Sequence, residues 1–441
     1  MAKTNSKYVI QPSNNPESIV ERYRNVRGTS ESICEPLEIE DYCIQSMPDV
    51  SPTKWHLAHT SWFFETFLLK KVLSGYESPN SRYESLFNSY YNTVGEPHTR
   101  ASRGLLSRPT VAEVMDYRAH VDDAMTDLLN ADERNNELNG EVRSVIEIGL
   151  HHEQQHQELM LMDVKHVFSC NPLRPAYREL PPTPQVDVPP MNWIPFEGHL
   201  QWIGHDGVGF AFDNELPRHR AYVQSFQIAD RLVTCGEYLN FVDDAGYRRP
   251  ELWLSDGWSV VQSRKWQAPL YWRHEGDNWR LLTLGGMRDL NPNQPVSHVS
   301  YYEADAFARW QGCWLPRENA WEAVASELLI EGNFLERSCF QPMPPASDRI
   351  ASPANLASRV PSQMFGDLWE WTCSPYSPYP GYRPPAGVIG EYNGKFMCNQ
   401  FVLRGGSYAT PRSHIRATYR NFYPPDARWP FTGIRLAKEL T

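Results

Sequence analysis

The chain has 441 residues, with 42 basic and 53 acidic side chains and a formal net charge of −11, and its pI lies near 5.7. That length is about three times the commonest domain size, so two or three domains are expected, each with its own core. A surface of this sign attracts neither nucleic acid nor an anionic membrane, which leaves small molecules or proteins as partners.

The opening MAKTNSKYVIQPSNNPES lacks the apolar stretch of a signal peptide, and no later segment approaches 18 uninterrupted apolar residues, so the chain reads as cytoplasmic. Helical periodicity then runs over 17–28, 52–74, 110–131 and 140–168, four helices of a length that suits a bundle within residues 1–180. The segment NPLRPAYRELPPTPQVDVPPMNWIP cannot continue a helix and forms an extended, stiff connector, with 181–195 as the linker proper. From 196 to 441 short apolar and aromatic stretches rich in glycine and tryptophan point to an irregular α+β domain. Only VSYYEADAFARWQG and RENAWEAVASELL read as helices there. Eight cysteines, at 34, 43, 170, 235, 313, 339, 373 and 398, have no C-x-x-C spacing and read as separate reduced thiols.

The chemistry concentrates in LHHEQQHQELM. Val142, Val145, Gly149, His152, His156 and Leu159 follow steps of three and four, so the two histidines share the apolar seam of one helix and can chelate one metal ion. Two buried imidazoles without a common purpose are costly. His151 falls off the stripe, and Glu158 is placed to orient a ligand from behind. A third ligand is available in KWHLAHTSWFFETF, as His56 or His59; spacing does not choose between them. His152-Glu153-x-x-His156 also fits the H-E-x-x-H pattern of zinc peptidases. However, His166 is too far along the helix to complete such a site, and no edge strand or substrate cleft is apparent.

Taken together, W-x-L-A-H at 55–59, H-x-x-x-H-x-E at 152–158, GDLWEWTCSPYSPYPGY and VLRGGSYAT…YRNFYPPDARWPFTGIRLA resemble the ergothioneine-biosynthesis sulfoxide synthases over nearly the whole chain. The resemblance implies an α + (α+β) fold: an N-terminal DinB-like four-helix bundle and a C-terminal C-type-lectin-like domain of the formylglycine-generating-enzyme type. It implies Fe(II) on His59, His152 and His156, with open positions for a thiolate, an imidazole and dioxygen. The expected substrates are hercynine, cysteine and dioxygen, joined through sulfur at C2 of the hercynine imidazole to give a sulfoxide, with no nucleic acid and no membrane involved.

Other roles follow by the same resemblance. Gln155 hydrogen-bonds the substrate imidazole, Asn421 and Phe422 bind hercynine, the aromatic ring facing its trimethylammonium, and Arg100 and Arg103 hold the carboxylate of the sulfur donor. Tyr423 stands where the branch that uses γ-glutamylcysteine has an acidic residue, which favours free cysteine. Tyr90 and Tyr91 are the candidate catalytic tyrosines, supplying a hydrogen bond or proton to the oxygen-derived species; the other branch of the family draws its tyrosine from the C-terminal domain, where Tyr392 is the candidate.

Rival readings are γ-glutamylcysteine as donor, a selenoneine synthase, a zinc metallopeptidase and a non-enzymatic lectin-like binding module. RGGSYATPRSH lacks the cysteine that a formylglycine-generating enzyme needs near this stretch. An ovothiol synthase is expected to append a methyltransferase, whereas this sequence ends at RLAKELT.

Overall fold

The computed structural model describes residues 17–136, 138–345, 360–385 and 388–440. Four long helices build the N-terminal part, with a short one at Tyr83–Leu86. Helix α1 (Ile19–Cys34) starts at a capping box, in which Ser18 accepts from the Glu21 backbone and Glu21 from that of Ser18. Helix α2 (Thr53–Phe64) runs on through a π-helical turn at Glu65–Leu69. Helix α3 (Val111–Asn135) starts at a Thr110–Glu113 box and stops where Asn136 turns left-handed, at φ 53°. Helix α4 (Gly140–Cys170) is the longest, with 31 residues. The periodicity therefore places all four, falling short by six residues at the end of α1 and by four at the end of α3.

Helix α2 packs against both α3 and α4, and α1 packs on α4. All twelve residues of α2 are buried. Its close approach to α4 needs Gly149, where an added Cβ would lie 2.5 Å from the Phe64 ring. Behind this contact Glu153 is buried and accepts from Arg27 (2.9 Å), Arg118 (2.6 Å) and Ser30 (2.7 Å). Burial alone would raise its carboxyl, but the two guanidiniums overcome that and hold it down at about 2.

No regular element forms between Cys170 and Trp193. The connector is pinned to both halves of the molecule: the Tyr177 N–H donates to Leu284 O (2.8 Å) and its hydroxyl to Ile33 O (2.6 Å). Beyond it lies a four-stranded sheet in the order Asn421–Tyr423, Phe401–Arg404, Trp369–Pro375, Thr432–Gly433, flanked by smaller sheets. Its core holds the fully buried indoles of Trp321, Trp369 and Trp371 and an enclosed Arg435–Glu370 ion pair (2.8 Å). Helices form at Tyr301–Trp310 and Glu318–Ala325, as expected. Two further helices, Cys235–Asp243 and Ser255–Arg264, correct the expectation of only two. With nine and ten residues each, they are too short to display a clear period, and only the Thr234–Glu237 capping box announces the first. Among the described residues no helix is long and apolar enough to cross a membrane.

Helix α4 also carries a buried lysine into the contact with the second domain. Lys165 Nζ lies 2.7 Å from His298 Nε2 and 4.9 Å from the centre of the Tyr271 ring. Burial pushes its ammonium down to about 7. An unfolded lysine, titrating near ~10.4, binds a proton over the interval in which the folded one does not, so this group's stability contribution is complete above that value and is lost as pH falls towards 7. Lys165→Met should therefore gain most in Tm over the parent protein near pH 7, and the gain should shrink as pH rises to about 9. Paired thermal melts check this; a difference independent of pH would contradict it.

Candidate active site

His59 projects from α2, and His152 and His156 project from α4, one turn apart. One ring nitrogen from each lies within 4.8 Å of the others, and all three side chains are buried. Aromatic rings build the wall: His59 stacks between Trp55 (4.6 Å) and Trp62 (5.3 Å), and Phe63 lies against His152 (4.6 Å). Desolvation keeps all three imidazoles neutral, lowering His59 and His156 well below the usual histidine range and His152 to about 3. Neutral imidazole is the form that ligates a metal.

The hydrogen bonds test whether the nitrogens fit an ion. His59 Nδ1 donates to Phe87 O at 2.6 Å, which leaves its Nε2 as a lone pair. The Nε2 of His152 stands 3.1 Å from that atom. Two ring nitrogens converging with His156 form a donor set for a divalent transition metal. His56, the alternative ligand from the sequence, instead lies behind His156, with Nδ1 2.8 Å from His156 Nδ1 and Nε2 3.0 Å from Asp163. Glu153, the residue that an H-E-x-x-H peptidase would use as its base, is locked into the Arg27–Arg118 network, which argues against that reading.

The second domain closes the site from above. Gln155 donates to the Tyr419 hydroxyl at 2.7 Å and accepts a short hydrogen bond from Tyr392. The Tyr392 ring is 5.9 Å from that of His152 and stacks on Phe212 (5.3 Å). Tyr90 and Tyr91 stack on each other at 4.6 Å with hydroxyls 3.5 Å apart, and Tyr91 packs 5.7 Å from Trp62. Glu391 ties the two tyrosine-bearing segments together by accepting from Asn92 N (3.2 Å), Thr93 N (3.1 Å) and Thr93 Oγ1 (2.6 Å). Burial raises the phenols of Tyr90, Tyr91 and Tyr392, so each keeps its proton at neutral pH.

Arg103 and Arg100 separate. The Arg103 guanidinium is buried 3.3 Å from the centre of the Trp55 ring and donates to Ser51 Oγ (2.9 Å), while its Nε and Nη2 have no protein partner. Burial, and to a lesser degree the neighbouring Arg100 charge, push it down to about 8, with the Asp163 carboxylate offsetting this only in part. Arg100 is exposed and donates to the Asp49 carbonyl. On the Asn421–Tyr423 strand, Phe422 stacks on Tyr376 (4.1 Å), the Asn421 side chain accepts from the Phe422 N–H (2.9 Å), and the Tyr423 hydroxyl points at Met162 Sδ (3.8 Å).

One expectation is corrected. Glu158 does not orient a ligand; it accepts from Trp369 Nε1 (2.7 Å), Ser407 Oγ (2.9 Å) and Thr410 Oγ1 (2.5 Å) and so bolts α4 to the Arg404-Gly-Gly-Ser407 stretch. His151 is off the stripe, as read, but it is buried: its Nδ1 lies 2.9 Å from His414 Nδ1 and its ring stacks on Phe210 at 3.9 Å. Sequence reasoning missed Tyr419 and Asp163. Asp163 was findable, because it is the next step of four after Leu159 on the same stripe.

Comparison with known proteins covers most of the chain. Residues 22–160 match the DinB superfamily, and residues 177–339 and 361–440 match the sulfatase-modifying factor enzyme 1-like domain. The chain is 32% identical over 420 residues to hercynine oxygenase of Mycobacterium tuberculosis, covering 91% of this chain and 94% of that protein. It is 31% identical over 415 residues to hercynine oxygenase of Mycolicibacterium thermoresistibile, covering 89% of this chain and 88% of that one. Ergothioneine biosynthesis protein 1 of Schizosaccharomyces pombe is 27% identical over 244 residues, which cover 52% of this chain and 28% of its own length.

Proposed function

The chain belongs to the hercynine oxygenase family, and from that premise we propose that it is a non-haem iron(II) sulfoxide synthase of ergothioneine biosynthesis, joining cysteine to C2 of the hercynine imidazole with dioxygen. The observation that carries the reading is the buried triad His59–His152–His156, three neutral imidazoles placed under Gln155 and the tyrosines of the second domain. On this reading residues 1–180 hold the metal, 181–195 connect, and 196–441 complete the substrate pocket.

Iron(II) on three imidazoles supplies redox reactivity towards dioxygen and keeps positions for both substrates. The protein supplies placement. Gln155, fixed by Tyr419 and Tyr392, presents an amide to the hercynine imidazole. Phe422, one face of which is stacked on Tyr376, is the aromatic ring that would meet the trimethylammonium. Arg103, with two unpartnered N–H groups in a dry setting, takes the donor carboxylate, and Arg100 adds charge from the rim. Holding both substrates at one centre removes the entropic cost of their encounter. The test is anaerobic loading with iron(II), then hercynine with cysteine under air, read by mass spectrometry. Absence of any carbon–sulfur product with cysteine or γ-glutamylcysteine, and of any carbon–selenium product with a selenium donor, would overturn the reading.

The donor preference has its own measurement. Tyr423 points at a thioether and brings no carboxylate for a γ-glutamyl ammonium. The kcat/KM with cysteine should exceed that with γ-glutamylcysteine by at least about tenfold, the worth of roughly one charge-assisted hydrogen bond. Equal values would contradict it.

A further inference from the structure

We propose that His56 and Asp163 act as a tautomer lock on His156, making them positioning residues for the metal site; this rests on the reading of His156 as a ligand. All three side chains are buried, with exposures of 2%, 3% and 8%, so their protons must be settled among themselves. Asp163 Oδ2 accepts from the Ser51 backbone N–H at 2.8 Å and faces His56 Nε2 at 3.0 Å. A carboxylate only accepts, so His56 carries its proton on Nε2, and the neutral ring offers a lone pair at Nδ1. The 2.8 Å contact between the two Nδ1 atoms then has one possible donor, His156. With its proton on Nδ1, His156 has its lone pair on Nε2, the nitrogen left for the metal.

His59 reaches the same tautomer through the Phe87 carbonyl. His156 has no carbonyl in that role, and the Asp163–His56 pair takes it over by a relay one imidazole longer. The same stripe that places His152 and His156 places Asp163, so ligand and lock share one rigid helix.

The experiment compares His56→Leu with His56→Gln, of similar volume. Glutamine can accept from His156 and donate to Asp163, whereas leucine can do neither. Iron(II) and cobalt(II) affinities are measured by chelator competition, with the visible spectrum of the cobalt form and the melting temperature of the metal-free protein. His56→Leu should weaken both metals about 10- to 100-fold and alter the cobalt spectrum, Asp163→Leu, which removes the acceptor, should act in the same direction, and His56→Gln should stay close to the parent. Parent-like affinity in His56→Leu, or equal losses in Leu and Gln, would overturn the lock. If His56→Leu fails to fold, Asp163→Leu decides, and parent-like affinity there overturns it. His156→Ala separates the two claims: metal lost there but kept in His56→Leu removes the lock alone, while metal kept in His156→Ala removes the ligand assignment and the lock with it.

Discussion

His156→Ala is expected to lose iron(II) by more than about 10²-fold, beyond what loss of a supporting residue costs, and to form no sulfoxide. The same holds for His59→Ala and His152→Ala, because the three nitrogens form one donor set within 4.8 Å and nothing else among the described residues offers three such groups together. The metal-free variants should still fold. The bundle is held by the aromatic seam of α2, from which His59→Ala removes one ring between Trp55 and Trp62, and by the Glu153–Arg27–Arg118 network, which needs none of these imidazoles. Removing a neutral, desolvated imidazole also relieves a polar burial. Zinc should enter the parent site and support no oxygen chemistry, since it has no redox partner state. Metal content after gel filtration, together with product analysis, checks all of this; full activity in His156→Ala would sink the assignment.

Helix α4 was legible in the sequence because it is amphipathic. One seam faces the core, and steps of three and four put His152 and His156 on it with their valines and Gly149. Helix α2 is buried all round, so periodicity has no polar face to measure against. That is why His56 and His59 could not be told apart by spacing, although one faces the metal position and the other stands behind it. Glu158 was misread for a related reason. It is two residues from His156, so it points to another side of α4, and which side is occupied depends on the second domain folding back over the helix. Contacts of that range leave no local mark: Gln155 with Tyr419 and Tyr392 spans 264 and 237 positions. The short helices of the second domain are set by tertiary burial rather than by pattern. Asp163 differs, because its stripe position was in plain view and only its chemistry, an acceptor behind a histidine, was not drawn from it.

The tyrosines carry the second large effect. Tyr90→Phe or Tyr91→Phe keeps the ring stack and the packing on Trp62 and Phe396 but removes a hydroxyl, so carbon–sulfur bond formation should fall by about 10² or more while iron affinity barely changes. Their phenols stay protonated at neutral pH and can donate, since burial raises them both. On the proposed reaction, loss of that donor should divert dioxygen to the nearest reductant, the cysteine thiol, which would take up both oxygen atoms as a sulfinic acid. This diversion is the sharper sign, because simple misfolding would lower both products together. Tyr392 competes for the role. Its ring is 5.9 Å from His152, but its hydroxyl is engaged by Gln155, so in the resting arrangement it orients the amide rather than offering a proton. Tyr392→Phe should then raise the KM for hercynine, through a loosened Gln155, more than it alters the product ratio. Sulfoxide and sulfinate are measured for all three variants. Parent-like rates and ratios in Tyr90→Phe and Tyr91→Phe, with sulfoxide lost only in Tyr392→Phe, would move the proton donor to the second domain.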